Sequence, residues 1–247
     1  MVDPDLGTIL GIWAHPDDET YLTAGLMAQA VRDGRRVVCV TATRGEEGSF
    51  DQERWPTAEM GRVREAELMA SLAVLGVAEH RWLDYYDGTC ASVPQDEAVA
   101  KVEAIMRDVQ PDSVLSFGPD GMTDHPDHKA TCAWATAAFE RTAKPGAKLY
   151  YATMTPEWAV EFVPRMNRFN VFMSPDTPPV AARRELAIVF ELPPDVLELK
   201  LKAIEAHVSQ VEGMLNAFGQ DFFREAHKEE YFRLAAKKGG PGDEEAT

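Results

Sequence analysis

Apolar residues recur along this chain in two rhythms. Short continuous or β-branched runs, Thr8–Trp13, Arg36–Thr43, Trp82–Leu83, Ser113–Phe117 and Lys148–Ala152, read as buried strands. Between them, apolar residues return every three or four positions, as on one face of a helix. Thr20–Asp33 carries Leu22, Leu26, Ala30 and Val31 in this way, and Gly34 ends it. Thr57–Leu75 carries Met60, Val63, Leu68 and Leu72 and closes on Gly76; Glu97–Val109 stops before Pro111; a further helix opens at His125–His128 and runs to about Arg141. Strand, helix and strand in alternation predict βαβ units, hence an α/β fold with a mostly parallel sheet and helices on both faces. Later, Pro156–Met166 reads as a helix, Arg168–Met173 and Leu186–Phe190 as short strands, and Pro194–Asn216 as the longest helix. Glu229–Leu234 fits either state, and Gly239–Thr247 is a polar tail expected to be disordered. No repeat or linker divides the chain, so residues 1–247 are expected to form a single domain.

Composition narrows the function classes. A chain of 247 residues, 45% hydrophobic, can bury one large core. It has no run long enough to span a bilayer and no basic-then-apolar leader, which points to a soluble cytoplasmic protein. A formal net charge of −16 without a basic stripe argues against nucleic acid and against anionic membranes as partners. The three cysteines are scattered and form no Cys-x-x-Cys pair.

Candidate chemistry lies in the turns after the strands, because ligands of open α/β sheets bind at the carboxyl ends of strands. The first turn packs His15, Asp17, Asp18 and Glu19 together. His15 and Asp18 can share one side of it and bind a metal, with Asp17 left to handle protons; as an alternative, the three carboxylates simply cap the next helix. Far down the chain, Asp124-His125-Pro126-Asp127-His128 repeats this chemistry after another strand, with His125 and His128 neighbours on one helical turn. Together the two clusters supply His, Asp and His and leave a fourth position for water, the open pattern of a catalytic zinc site; Fe2+ suits the same donors. Arg44-Gly45-Glu46-Glu47-Gly48 resembles a phosphate loop only superficially, since its glutamates repel anions. Arg64 either pairs with Glu65 and Glu67 or reaches into the cleft, Asp87-Gly88 has turn chemistry, and His207 is a packing histidine or sits behind the site.

Ala14-His15-Pro16-Asp17-Asp18-Glu19 followed later by His125-Pro126-Asp127-His128 resembles the LmbE-like, or N-acetylglucosaminyl-phosphatidylinositol de-N-acetylase, family, which includes deacetylases of the mycothiol and bacillithiol pathways. Thr43-Arg44-Gly45-Glu46, Arg64 with Glu67, and Lys202-Ala203-Ile204 with His207 and Ser209-Gln210 are supporting matches. The resemblance implies a Rossmann-like fold around one Zn2+. It implies His15, Asp18 and His128 as metal ligands, Asp17 as general base, His125 stabilising the tetrahedral intermediate and Asp127 orienting it. It implies substrate contacts from Arg64 and from the loop of Glu47. Thr123 departs from those members that have a tyrosine there.

Arg64, Glu47 and Asp87 come from three separate segments that should line one cleft, and are expected to touch sugar hydroxyls. The leading reading is a zinc-dependent deacetylase acting on a small-molecule N-acetylglucosamine-type substrate, with a homo-oligomer left open. Alternatives are an amidase cutting a larger N-acyl bond and a metal-free Rossmann-like binding module. A nucleotide-dependent dehydrogenase is a weaker rival, because no Gly-x-Gly-x-x-Gly follows the first strand.

Overall fold

A computed structural model describes residues 5–239. The rest of the expected tail, 240–247, lies outside the described residues. Seven strands form one sheet in the order β3-β2-β1-β4-β5-β7-β6. The first five are β1 (Ile9–Trp13), β2 (Val37–Thr43), β3 (Glu79–Tyr85), β4 (Ser113–Ser116) and β5 (Lys148–Ala152), all parallel to their neighbours in that group. β6 (Ile188–Glu191) and β7 (Glu229–Lys237) extend the sheet antiparallel to it, with β7 between β5 and β6.

The expected α/β architecture is therefore present, with an antiparallel end that periodicity did not place. Side chains alternate across the sheet as the pleat demands. Ile9 and Trp13 of β1 pack with α1 (Asp18–Arg32) and α2 (Thr57–Leu75) on one face. Leu10 and Ile12 pack with α3 (Gln95–Val109) and α5 (Pro126–Thr142) on the other; the short turn α4 (Gly121–Asp124) leads into α5. α6 (Pro156–Met166), α7 (Pro194–Glu205) and α8 (Val208–His227) complete the first face.

Strand order matters for function. The chain winds outward from β1 to β2 and β3, then returns to place β4 on the other side of β1. The connections after β1 and β4 thus diverge and leave a crevice between their carboxyl ends, the usual ligand position in such sheets. Residues 13 and 116 end these adjacent strands, so two clusters more than a hundred residues apart open into one crevice.

Three expected elements differ. The strand at Trp82–Leu83 is longer, because β3 is an edge strand whose Glu79, His80 and Arg81 mask its pattern. Arg168–Met173 is not a strand. Asn170 adopts φ 56°, and the Asn167 side chain accepts from the Phe172 amide at 3.0 Å, so the backbone turns instead of pairing. The helix expected over Pro194–Asn216 breaks at His207 (φ −84°, ψ 56°), and α8 then runs on to His227. The break has local causes: Glu67 accepts from both the amide and the hydroxyl of Ser209 at 2.7 Å, and His207 turns inward against Thr20. No helix among the described residues is long and apolar enough to cross a membrane.

A buried ion pair ties the last strand to the first helix. Lys200 of α7 donates to Glu230 of β7 at 2.7 Å, both side chains being about 1% exposed. Glu230 also accepts from the amides of Gly25 and Leu26, in the middle of α1, at 2.7 and 2.9 Å. Gly25 permits this approach, since a Cβ there would stand 2.7 Å from Leu192 and 3.0 Å from the Glu230 carboxylate. Removing one member of such a pair leaves a buried charge without a partner, at a cost of about 3–5 kcal/mol. Glu230→Ala should therefore lower unfolding free energy by about that amount in a denaturant titration; a loss within the ~0.5 kcal/mol of ordinary surface changes would remove the pair from the list of structural ties.

Candidate metal centre and active-site cleft

His15 follows β1, Asp18 opens α1, and His128 lies in the first turn of α5. Their donor atoms converge. His15 Nδ1 is 3.1 Å from His128 Nε2 and 3.6 Å from Asp18 Oδ2, and His128 Nε2 is 3.4 Å from Asp18 Oδ1. Donors held by one tetrahedral ion at about 2.0–2.2 Å stand roughly 3.3–3.5 Å apart, so this trio fits a zinc-sized ion. His125 also brings a ring nitrogen within 4.8 Å of donors from His15 and His128.

The imidazoles are set for ligation. His128 Nδ1 donates to the Gly121 carbonyl at 2.9 Å, which leaves the Nε2 lone pair facing the trio. Burial, then the positive potential of His15 and His125, depress the His128 pKa well below its ordinary value. His15 Nε2 faces Asp87 Oδ1 at 3.0 Å and Asp127 Oδ2 at 3.4 Å, neither contact being aligned as a full hydrogen bond. Burial alone would lower the His15 pKa, but Asp127, Asp87 and Asp18 outweigh it and hold the ring at about 10. A second trio, His15 with Asp87 and Asp127, is close enough for a metal. Its carboxylates are already engaged, however: Asp127 accepts from the Gly88 and Cys90 amides at 2.7 and 3.1 Å, and Asp87 from the Glu47 amide at 3.1 Å. They orient His15; Asp18 Oδ2 is engaged too, accepting from the His15 amide at 2.7 Å.

Asp17 points away from its neighbour Asp18. Its backbone sits at φ 114°, a costly conformation for a non-glycine residue, and its amide donates to Glu19 Oε2 at 3.1 Å. Arg64, 4% exposed, clamps the turn: Nη2 donates to the Pro16 carbonyl at 2.6 Å and to Asp17 Oδ2 at 3.1 Å, and Nη1 to the Gly45 carbonyl at 3.2 Å. The glycines of the 44–48 turn are thereby explained. A Cβ on Gly45 or Gly48 would lie 2.1 or 2.4 Å from Arg64 Nη1. Behind this, His207 Nε2 stands 3.2 Å from Thr20 Oγ1 and 3.5 Å from Glu19 Oε1, so His207 does sit behind the site.

His15, Asp17, Asp18, Glu47, Arg64, Asp87, His125 and His128 all border one cleft of about 700 Å3. A smaller hollow of about 200 Å3 beside Asp5, Asp33 and Arg35 contains none of them. Within the cleft, some side chains do other work than the sequence suggested. Asp87 is turned to His15, and Arg64 is spent on Asp17 and two carbonyls, whereas Glu47 is exposed and accepts from the Tyr86 hydroxyl at 2.6 Å. Asp127 reaches His125 through its backbone amide, which donates to His125 Nδ1 at 3.2 Å, while its carboxylate faces His15. Thr123 places its hydroxyl 3.3 Å from His128 Nδ1. Sequence reasoning missed Glu19 as a brace, although its place beside Asp17 and Asp18 was a signal. It also missed Tyr21, Trp158 and His227 in the cleft wall: the first two read as ordinary helix residues, and His227 fell between expected elements.

The profile of the PIG-L, GlcNAc-PI de-N-acetylase, family matches residues 10–139, which include both clusters. This chain belongs to that family. A PIG-L relative, the 1D-myo-inositol 2-acetamido-2-deoxy-alpha-D-glucopyranoside deacetylase of Rhodococcus erythropolis, is 30% identical over 96% of this chain and 94% of its own length. Among solved structures, the N,N'-diacetylchitobiose deacetylase of Pyrococcus horikoshii, complexed with an inhibitor, superposes with a TM-score of 0.66 at 22% identity, covering 94% of this chain and 84% of that one. The zinc-inhibited form of teicoplanin deacetylase Orf2 gives 0.67 at 16% identity, covering 96% and 99%. Both share the fold of this PIG-L chain.

In this PIG-L protein, burial raises the Asp17 pKa to about 6, against the opposing pull of Arg64. Because the guanidinium favours the carboxylate, removing it should raise the value further. Carbon-13 titration of the metal-free protein should show Asp17 near that pH, and higher in Arg64→Met. An Asp17 that titrates near the ordinary ~3.9 in both proteins would rule out this coupling.

Proposed function

We propose that this chain is a zinc-dependent amidohydrolase that removes the acetyl group from an N-acetylglucosamine-type sugar. The observation that carries the proposal is the convergence of His15 Nδ1, Asp18 and His128 Nε2 at 3.1–3.6 Å, beside a second carboxylate, Asp17, which Arg64 holds apart. His15, Asp18 and His128 would hold the ion, which supplies Lewis acidity for water and for the amide carbonyl. The family membership and the deacetylase named in R. erythropolis support the choice of an N-acetylated sugar.

The protein's own groups carry the protons. Asp17 accepts one from the water as its oxygen bonds to the acetyl carbon. His125 accepts from the Asp127 amide at Nδ1, so its remaining proton sits on Nε2. Burial, then the charge of His15, lower its pKa. His125 therefore acts as a neutral N–H donor to the oxyanion. Such a donor is typically worth about 2.7–4 kcal/mol of barrier. As the carbon–nitrogen bond breaks, Asp17 returns its proton to the amine, and acetate and the free amino sugar leave. Asp87, Asp127 and Arg64 are positioning residues in this scheme, and Glu47, exposed at the cleft edge with its side chain bonded only through Oε1 to Tyr86, is placed to meet the sugar.

Two neighbouring carboxylates with different roles give the test. Asp17→Asn should keep near-normal zinc stoichiometry and release acetate about 10²–10⁴-fold more slowly, the usual worth of a general base. Asp18→Ala should lose zinc affinity, with some activity restored by added metal. Metal content and acetate release are measured together. Zinc lost from the Asp17 variant but kept by the Asp18 variant would reverse the two roles, and an amine product without acetate would favour a larger acyl group.

A further inference from the structure

Two fully buried titratable groups behind the base, Glu19 and His207, take no part in the deacetylation chemistry. The backbone in front of them is out of place. Asp17 opens α1 at φ 114° and ψ −29°, and its carboxylate makes no capping bond to the helix. Its carbonyl already serves the helix, accepting from the amides of Thr20 and Tyr21 at 2.9 Å. The departure therefore lies in the peptide that joins Pro16 to Asp17. Turning that peptide over by half a turn would give Asp17 an ordinary helical φ beside its present ψ. A backbone kept from so near a relaxed state must be held there by its surroundings.

Two bonds, one at each end of the peptide, hold it inverted. The Pro16 carbonyl accepts from Arg64 Nη2 at 2.6 Å, and the Asp17 amide donates to Glu19 Oε2 at 3.1 Å. In the relaxed orientation the carbonyl would face the Glu19 carboxylate and the amide would face the guanidinium, acceptor against acceptor and donor against donor. Glu19 is itself fixed. Its Oε1 accepts from the Thr20 hydroxyl at 2.5 Å, and His207 Nε2 stands 3.2 Å from that hydroxyl and 3.5 Å from Oε1. His207 occupies the break between α7 and α8, and the bonds from Ser209 to Glu67 hold that break in place. A residue 187 positions downstream of Thr20 thus reaches in behind the base.

We propose that Glu19 and His207 are positioning residues for the base: they keep the 16–17 peptide inverted, and the inverted peptide gives Arg64 the carbonyl that anchors it. Arg64, so anchored, fixes Asp17 Oδ2 at 3.1 Å and away from Asp18. This rests on the deacetylase reading above. His207, Glu19, the peptide and Arg64 form one chain of contacts, and only its last member, Asp17, meets the reacting water. Without the brace the peptide turns over, Asp17 becomes an ordinary first residue of the helix, and Arg64 loses its shortest bond. The donor trio has supports of its own. Asp18 Oδ2 accepts from the His15 amide, and His128 Nδ1 donates to the Gly121 carbonyl, so zinc is retained when the brace is lost.

The test uses the zinc-supplemented full chain and has a stability arm and a kinetic arm. Asp17→Gly and Asp17→Ala both lose the Arg64 ion pair, so the difference between their melting temperatures reports the backbone alone. With Glu19 in place the glycine variant should melt higher, because a positive φ suits glycine. In a Glu19→Leu background the order should reverse, because the freed peptide takes a helical φ that favours alanine. His207→Leu, a change farther from the turn, should narrow the glycine advantage, and it decides the matter where Glu19→Leu does not fold. In the kinetic arm, acetate release is followed from N-acetylglucosamine and N,N'-diacetylchitobiose. Glu19→Leu and His207→Leu should each lower kcat by about 10–10²-fold, the usual effect of a misplaced group, with KM and zinc content unchanged. Glu19→Gln keeps an oxygen for the Asp17 amide and should recover most of the loss. Added to Asp17→Asn, His207→Leu should cost little more, since the base it positions is already gone. A glycine advantage that survives both backgrounds, or a His207→Leu loss that adds in full to that of Asp17→Asn, overturns the proposal. A reversed or narrowed melting order without acetate release from either sugar keeps the brace and overturns the deacetylase reading. Acetate release with the glycine advantage unchanged does the opposite.

Discussion

The two nitrogens of His15 face opposite ways, and the centre is arranged around that fact. Nε2 looks toward Asp87 and Asp127, and Nδ1 toward Asp18 and His128. These partners come from the turn after β3, from α5 and from α1, so one ring at the end of β1 reaches the connections of three other elements. Such crowding of buried carboxylates is unfavourable without positive charge. The imidazolium provides it in the metal-free chain, and a divalent ion provides it in the reading proposed above. β1 suits this load, because it is buried along its whole length and hydrogen-bonded on both sides.

Arg64 carries a second, quieter constraint. Asp17 is held in a strained backbone conformation and separated from Asp18 by bonds to a single guanidinium, which in turn needs two glycines to make room for it. A lysine lacks the fork that serves Pro16, Gly45 and Asp17 together. The 44–48 turn has the glycine content of an anion loop, yet its glycines serve a buried cation.

Much of this architecture was legible in the sequence, for identifiable reasons. α2, α6 and β5 lie where periodicity and turn residues put them. The two clusters announced themselves by residue type and by their place after strands. What the sequence hid was pairing across distance. β3 disguises itself with edge charges, His207 breaks a continuous apolar stripe for the sake of Glu19 and Thr20, and the antiparallel end depends on contacts that no local pattern encodes. The same limit hid the partners of the site residues. Asp87 and Arg64 were assigned to substrate because their segments, a turn after a strand and the first half of a helix, should face the cleft; their hydrogen bonds and ion pairs are to the protein itself.

The position of β7 gives synthesis a direction. It is the last strand among the described residues, yet it is inserted between β5 and β6 instead of being added at an edge. Until it emerges from the ribosome, β6 has no place in the sheet, Lys200 has no counter-ion, and the amides of Gly25 and Leu26 lack the carboxylate that reaches into α1. The His15–Asp18–His128 trio is complete at residue 128 and can assemble early, while the far wall of the cleft, with His227 and Glu230, is translated about a hundred residues later. A nascent chain can therefore have the trio in place before it has the far wall of the cleft.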